Sequence, residues 1–318
     1  MIRKMLSFKH SALVVASLLS LVLWAGPVLA QQTGDLDRLR QIALQEVNAD
    51  RQENGLDPLR FSDNLNEAAM AHATDMLARN YYSHTSPEGG DVQDRYVEAG
   101  GSPWRLVAEN ISRCTGCTQA PDAADVMRLQ EGWMNSPGHR ENILRSGISR
   151  FGFAVVSDTQ DGLYAVQTFA GAGTPRGSSD AVSAVDSGNS LSTALMAIND
   201  LREEAGREPL SPSEDLSAVA SRLVPDDVPD PSNLPELNEA SSDLDHGRWS
   251  QLSTIVGACG GCGAEPTQGD IQAFIGDWAK QSTYRKQLLD EGVSHLGFVI
   301  RANGEGKKVA AAILGQAR

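Results

Sequence analysis

The sequence predicts an α+β fold built twice over: two tandem domains, each with helices first and a small antiparallel sheet last. Two observations lead there, an internal repeat and a change of hydrophobic period within each copy. The repeat is read first because missing it misreads the whole fold. Adding 145 to a residue number carries Trp104 onto Trp249, Cys114, Gly116 and Cys117 onto Cys259, Gly261 and Cys262, and Trp133 onto Trp278. The same shift carries Arg140 onto Arg285, Leu144 onto Leu289, and Gly147, Gly152 and Phe153 onto Gly292, Gly297 and Phe298. Upstream the offset is 151: Gly55, Pro58, Leu59 and Leu65 meet Gly206, Pro209, Leu210 and Leu216. The second copy is therefore six residues shorter between Leu216 and Trp249.

Within the first copy, Leu36, Leu39, Ile42, Ala43 and Val47 recur at helical spacing, and Gly55 is placed to end that helix. Ser62 or Asp63 can cap a second helix carrying Leu65, Ala69, Met76 and Leu77. Residues Pro121 to Asn135 read as a third, with Val126, Leu129 and Trp133 apolar and Pro137 as its stop; Arg140 to Leu144 reads as one further helical turn. The period then changes from about 3.6 to 2. Phe151 to Val156, a turn at Ser157 to Gly162, and Leu163 to Phe169 read as a β-hairpin. The second copy repeats it with Leu296 to Ile300, a turn around Asn303 to Gly306, and Lys308 to Leu314. Helices followed by a hairpin indicate a layered α+β fold.

The first thirty residues stand outside both copies. Arg3, Lys4 and Lys9 precede an apolar run from Ala12 to Trp24, and Pro27 to Ala30 supplies small residues for cleavage after Ala30. That is the pattern of a secretory signal peptide and predicts a secreted or periplasmic protein. The competing reading is an uncleaved membrane anchor, but the run is shorter than the roughly 20 residues a span needs. No later stretch is apolar enough to span. Gly171 to Ser190, rich in Gly, Ser, Ala and Asp, reads as a flexible linker. The predicted organisation is signal peptide 1–30, first domain 31–172, linker 173–190 and second domain 191–318.

Net charge is −14, and −17 once the three positive charges of residues 1–30 are removed. Nucleic-acid binding rewards clustered Lys and Arg and is not expected. An acidic surface keeps a protein soluble and eases binding of divalent cations. Of the histidines after residue 30, His72, His84 and His139 lie in the first copy. With Glu109, His84 and His139 make a ligand set for zinc or a similar divalent ion, and equally an acid–base set. Spacing alone does not bring them together.

Four segments in order carry a family resemblance: Ala71 to Met76, Tyr81 to Gly89, Ala108 to Ile111, and Trp133 to Leu144, followed by Phe151 to Val155. In them the first copy, over roughly residues 36 to 170, resembles the bacterial branch of the CAP superfamily. The superfamily is named for cysteine-rich secretory proteins, antigen 5 and plant pathogenesis-related proteins. The resemblance implies an α-β-α sandwich with a central cleft. By motif match His84, Glu109 and His139 are three of the four cleft residues of eukaryotic members; Ser136 stands where the fourth, a Glu, would be. Its absence weakens any mechanism that needs two carboxylates, and neither Glu131 nor Glu141 has a claim to replace it. Asn110 and Arg140 are expected to hold loops, Trp104 and Trp133 to be core, and His72 to be structural. The 145 offset puts Thr254 and Tyr284 where Glu109 and His139 stand, so the second domain is read as degenerate, with a structural or partner-binding role.

In an exported protein the cysteines are expected as two local disulfides, Cys114–Cys117 and Cys259–Cys262. A redox-active pair and a zinc site using all four are the alternatives. Three functional classes remain open. The leading one is a non-enzymatic binding module for a small-molecule, lipid or protein ligand, whose cleft can hold a divalent metal such as zinc. The second is a metal-dependent, peptidase-like hydrolase using His84, Glu109 and His139. The third is a structural protein of the cell envelope.

Overall fold

The structure is a computed structural model that describes residues 26–117, 120–158, 162–177, 183–185, 187–245 and 247–318; the turn tip at 159–161, His246, and most of the expected signal peptide lie outside them. The first unit runs α1 (Gly26–Glu53), β1 (Arg60–Phe61), α2 (Asp63–Arg79), α3 (Val92–Glu98), β2 (Leu106–Cys114), α4 (Ala123–Met134), α5 (Pro137–Ile143), β3 (Arg150–Asp158) and β4 (Gly162–Gly171). The second runs α6 (Ser187–Glu204), β5 (Ser211–Pro212), α7 (Glu214–Leu223), α8 (Leu237–Ala240), β6 (Trp249–Cys259), α9 (Gln268–Lys280), α10 (Ser282–Leu288), β7 (His295–Ala302) and β8 (Lys308–Ala317). Each unit holds one four-stranded sheet, in the orders β1-β3-β4-β2 and β5-β7-β8-β6. Both sheets are mixed: the two-residue strand pairs parallel with its neighbour, and the other pairings are antiparallel.

The helix ends follow local chemistry. Gly55 takes φ +71° just past α1, a left-handed conformation that costs glycine nothing. Ser62 occupies the N-cap position of α2, although its side chain makes no capping bond. Helix α4 starts two residues later than expected, because Asp122 and Asp125 form a reciprocal capping box there. Pro137 both follows α4 and opens α5, where its missing N–H costs nothing.

Period 2 in the hairpin splits its side chains between two helical layers. Phe151, Phe153 and Val155 pack with Leu163, Ala165 and Phe169 against α1 and α4. Ala154, Tyr164 and Val166 pack against Ala69, Ala73 and Met76 of α2. The layers are thus α-β-α. Gly152 lies where α2 crosses the sheet, and a Cβ there would stand 2.3 Å from the carbonyl carbon of Leu65. Its repeat partner Gly297 is under the same constraint, 2.1 Å from that of Leu216. The repeat also extends to a buried polar frame. Arg51 donates to the carbonyls of Asp57, Ile143 and Arg145, and Arg202 to those of Glu208, Leu288 and Asp290. Asn48 closes both sides of the Leu59 peptide, as Asn199 does for Leu210.

Two sequence expectations need correcting. The segment read as a flexible linker is, at its described residues, packed on the second unit. Gly173 and Ala184 form β-bridges with Cys262 and Thr267, and Arg176 pairs with Asp277 at 3.0 Å. Its small residues permit close approach: a Cβ on Gly173 would collide with the carbonyl of Gly261. Trp104 is not core. It is half-buried under the ammonium of Lys307, 5.7 Å from the ring, and its carbonyl accepts from Gly261 N–H at 2.7 Å. Its repeat partner Trp249 is buried, as is Trp133.

Candidate functional site

Strand β2 lies at the edge of its sheet, with its outer carbonyls turned away from β4. Such an edge needs partners or water. Here side chains supply them. The Ile111 carbonyl accepts from Tyr82 Oη and Trp133 Nε1, and the Glu109 carbonyl accepts from Asn142 Nδ2 at 3.0 Å. The cleft runs along this edge, between α4 and α5 on one side and the loop after α2 on the other.

Glu109 is the centre of the polar cluster, and its carboxylate is 2% exposed. Its Oε1 meets His84 Nδ1 at 2.9 Å, and its Oε2 accepts from Arg95 Nη2 at 2.8 Å. Arg95 also donates to the carbonyls of His84 and Gly90, so one guanidinium ties the loop to the carboxylate. His72, on α2, lies beneath. Its Nε2 is 2.9 Å from the Ser83 carbonyl and 3.7 Å from Glu109 Oε1. Burial pushes its imidazole below the ordinary range, outweighing the pull of Glu109. It is therefore neutral near pH 7 and donates to Ser83, so the Glu109 contact is not an ion pair at that pH. Tyr81 closes the far side, donating to Asp75 at 2.6 Å.

His139 comes from α5 and bonds to neither His84 nor Glu109. Burial first, and then repulsion from His84, hold its imidazole below the ordinary range. Its backbone carbonyl accepts from Asn110 Nδ2 at 3.1 Å. Asn110 belongs to a buried chain in which Gln167 Nε2 donates to Gln130 and Gln130 Nε2 donates to Asp50. Ser136 lines the pocket beside His139 and takes the N-cap position of α5, without a side-chain capping bond. Arg140 points elsewhere, donating to Asn54 in the turn after α1 at 3.1 Å.

The sequence-expected set is thus partly assembled. His84 and Glu109 are joined, His139 stands opposite, and among the described residues no three His, Cys, Asp or Glu groups converge as a ligand set. A divalent ion fits this chemistry in one way. Both Glu109 oxygens are already engaged, and a dication at Oε2 would sit beside the Arg95 guanidinium. With Nδ1 held by Glu109, His84 has Nε2 left for a ligand, on a side chain 56% exposed. A carboxylate behind a histidine fixes its tautomer and orientation. Two imidazoles, His84 and His139, would then hold the ion. Arg95 and His72 are the residues sequence reading missed or set aside; the capping box of Asp91 and Asp94 that positions α3 was the available signal for Arg95.

Beside His139 a pocket of about 330 Å³ opens between β2 and α4, lined by Ile111, Leu129, Trp133, Leu163 and the Cys114–Cys117 disulfide. The second pair, Cys259–Cys262, is also a disulfide. With both pairs oxidised, no thiolate remains for a four-cysteine zinc site.

Residues 44–169 match the family model described as "Cysteine-rich secretory protein family", CAP. The N-terminal unit is a CAP domain. It is similar to two proteins of Bacillus subtilis (strain 168). One is YkwD, 34% identical over 110 residues, covering 35% of this chain and 39% of that protein. The other is the membrane protein YlbC, 34% identical over 109 residues, covering 34% and 29%. The chain thus spans well under half the length of either relative. Among solved structures, an extracellular SCP-domain protein from Bacillus anthracis matches with TM-score 0.36 and 29% identity, over 45% of this chain and 43% of that one. Na-ASP-1 matches with TM-score 0.37 and 11% identity, over 92% and 91%.

In the second unit the CAP-domain cluster is replaced. Thr254 and Tyr284 stand at the positions of Glu109 and His139, and Leu223 at that of His72. The buried amides give way as well: Ile255, Ala312 and Ile275 take the places of Asn110, Gln167 and Gln130, and all three are buried in an apolar core. The register agrees, with Asn110 opposite Gln167 and Ile255 opposite Ala312.

Proposed function

We propose that this is an exported binding module in which the CAP domain holds a ligand at the His84–His139 cleft and the second unit is its structural companion. The observation that carries this reading is the grip on His84: Nδ1 held at 2.9 Å by a carboxylate that Arg95 anchors from behind. That arrangement fixes an exposed imidazole with a lone pair at Nε2. His139, kept neutral by burial, supplies a second lone pair. Divalent zinc is the cation these two imidazoles suit best. When bound, it would supply a Lewis-acidic point for an anionic or carbonyl-bearing ligand.

The hydrolase reading is the weaker one. A general base must accept a proton from water, and both oxygens of Glu109 are already occupied by donors. Ser136 brings no second carboxylate. Export is supported by the N-terminal pattern of residues 1–30 and by the two disulfides, which persist in oxidising compartments. No helix among the described residues is long and apolar enough to cross a membrane.

Calorimetric titration of residues 31–318 with zinc, alongside His84→Ala and His139→Ala, tests the proposal. One site per chain, lost in both variants, is expected. Binding that survives in both would remove these histidines from the site.

A further inference from the structure

The two units differ in what covers one surface. In the second unit the connecting segment runs across the face of α9 beside the disulfide loop. Gly173 bridges Cys262, and the Ala172 carbonyl accepts from Gly263 N–H at 2.8 Å. The Arg176 N–H donates to Asp270 Oδ1 at 3.0 Å. The Arg176 guanidinium lies 4.2 Å over the Phe274 ring and pairs with Asp277 at 3.0 Å. The repeat maps Cys262, Asp270, Phe274 and Asp277 onto Cys117, Asp125, Leu129 and Gly132. Those four residues line the open pocket beside His139. One surface is thus filled by chain in one unit and, among the described residues, open in the other.

We propose that this groove of the CAP domain docks an extended peptide segment of another protein, with an aliphatic side chain where the second unit has Arg176. Of the path's backbone partners, Asp270 Oδ1 has its counterpart in Asp125 Oδ1, which among the described residues is held by the exposed Arg128 alone. The side-chain preference follows from the substitutions. Leu129 offers no ring face and Gly132 no carboxylate, so an arginine there would lack both contacts of the Arg176 guanidinium, with Asp125 already paired to Arg128. Where a Cβ of Gly132 would stand there is nothing within 4 Å, which leaves room for a leucine-sized group. Past this point the path changes. In the second unit a Cβ on Gly269 would be 2.2 Å from the Arg176 carbonyl oxygen, and its counterpart Ala124 has that Cβ. A docked segment must lift away at Ala124, so recognition is confined to about five residues.

This inference deepens the binding-module reading, since His139 and Ser136 rim the same groove, but it does not depend on zinc. The probes are two end-blocked hexapeptides: residues 172–177 of this chain, Ala-Gly-Thr-Pro-Arg-Gly, and the same with leucine for arginine. They are titrated into ¹⁵N-labelled residues 31–318, as wild type and as Leu129→Phe/Gly132→Asp. The leucine peptide is expected to shift the amides of Cys117, Leu129 and Gly132 and to bind wild type more tightly than the arginine peptide. The double variant restores the ring and the carboxylate, and its preference should reverse by about tenfold in favour of arginine, the scale of one cation–π contact plus one half-buried ion pair. Unchanged thermal unfolding shows that the variant is folded. Absence of shifts with both peptides, or a folded variant with unaltered preference, overturns the proposal. Loss of zinc binding with peptide binding intact would count against the metal reading alone.

Discussion

At Arg51 and Arg202 the two units are the same molecule; at Glu109 and Thr254 they are not. Each arginine is buried, and each ties three carbonyls from two distant stretches of its unit. Each glycine at the helix–sheet crossing is equally constrained. These features survive because the layers do not pack without them. The His72, His84, Arg95 and Glu109 cluster survives only in the CAP domain, and in the second unit Thr254 and Leu223 hold the sheet without it. The difference separates what the fold requires from what it carries. By that test Arg51 is scaffold despite its charge, and Glu109 is cargo despite its burial.

The largest expected effect falls on the shared scaffold. Gly152→Ala or Gly297→Ala drives a methyl into the backbone of α2 or α7, and each should cost about 3 kcal/mol, the upper range for overpacking. Guanidinium unfolding of the full chain checks this. A near-neutral result in either unit would break the equivalence.

A smaller effect sharpens the contrast. Replacing Asn110, Gln130 and Gln167 together by Ile, Ile and Ala copies the second unit into the first. The side chains left behind, Asp50 and Asn142, are half-buried and can turn to water, and replacing the buried amides themselves by apolar groups of fitting size is close to neutral, so stability should change by about 1 kcal/mol or less. Zinc affinity should fall, because Asn110 no longer holds the His139 carbonyl. A loss of several kcal/mol would mean the amides are scaffold after all.

The smallest effect is a slope. The folded-state value of His72 lies below that of the unfolded chain, about 6.5. Below about pH 6.5 the unfolded state therefore binds more protons, and stability falls with pH down to the lower folded value; above it the residue contributes no slope. His72→Leu, the residue of the second unit, should flatten the dependence of unfolding free energy between about pH 7 and pH 5. An unchanged slope would mean that His72 is not the group responsible.

Much of this was legible in the sequence. The repeat, Gly55 and the hairpin followed from spacing and period, and the three-residue set of His84, Glu109 and His139 from motif order. Strand β2 was not read as a strand because Glu109, Asn110, Ser112 and Arg113 interrupt its apolar pattern. Glu109 and Asn110 hold His84, Arg95 and the His139 carbonyl, while Tyr82, Trp133 and Asn142 take the place of a neighbouring strand at the edge. Arg95 went unseen because it lies between the stretches where the two offsets hold, so the register of the copies is not fixed there and the repeat offered no control. The connecting segment was misread because Gly and Ser permit close packing as readily as freedom, and composition does not distinguish the two. The buried Arg51 and the half-buried Asn48 were passed over because one polar residue on a helix face looks like a solvated one.

In the proposed function the CAP domain alone keeps a ligand cleft, formed by His84 and His139. Imidazole NMR of residues 31–318 titrated with zinc tests it most directly. The His84 and His139 resonances are expected to move together to saturation at one ion per chain, with His72, His246 and His295 unmoved. Saturation at two ions, or movement of His295 with His84 and His139 still, would contradict it.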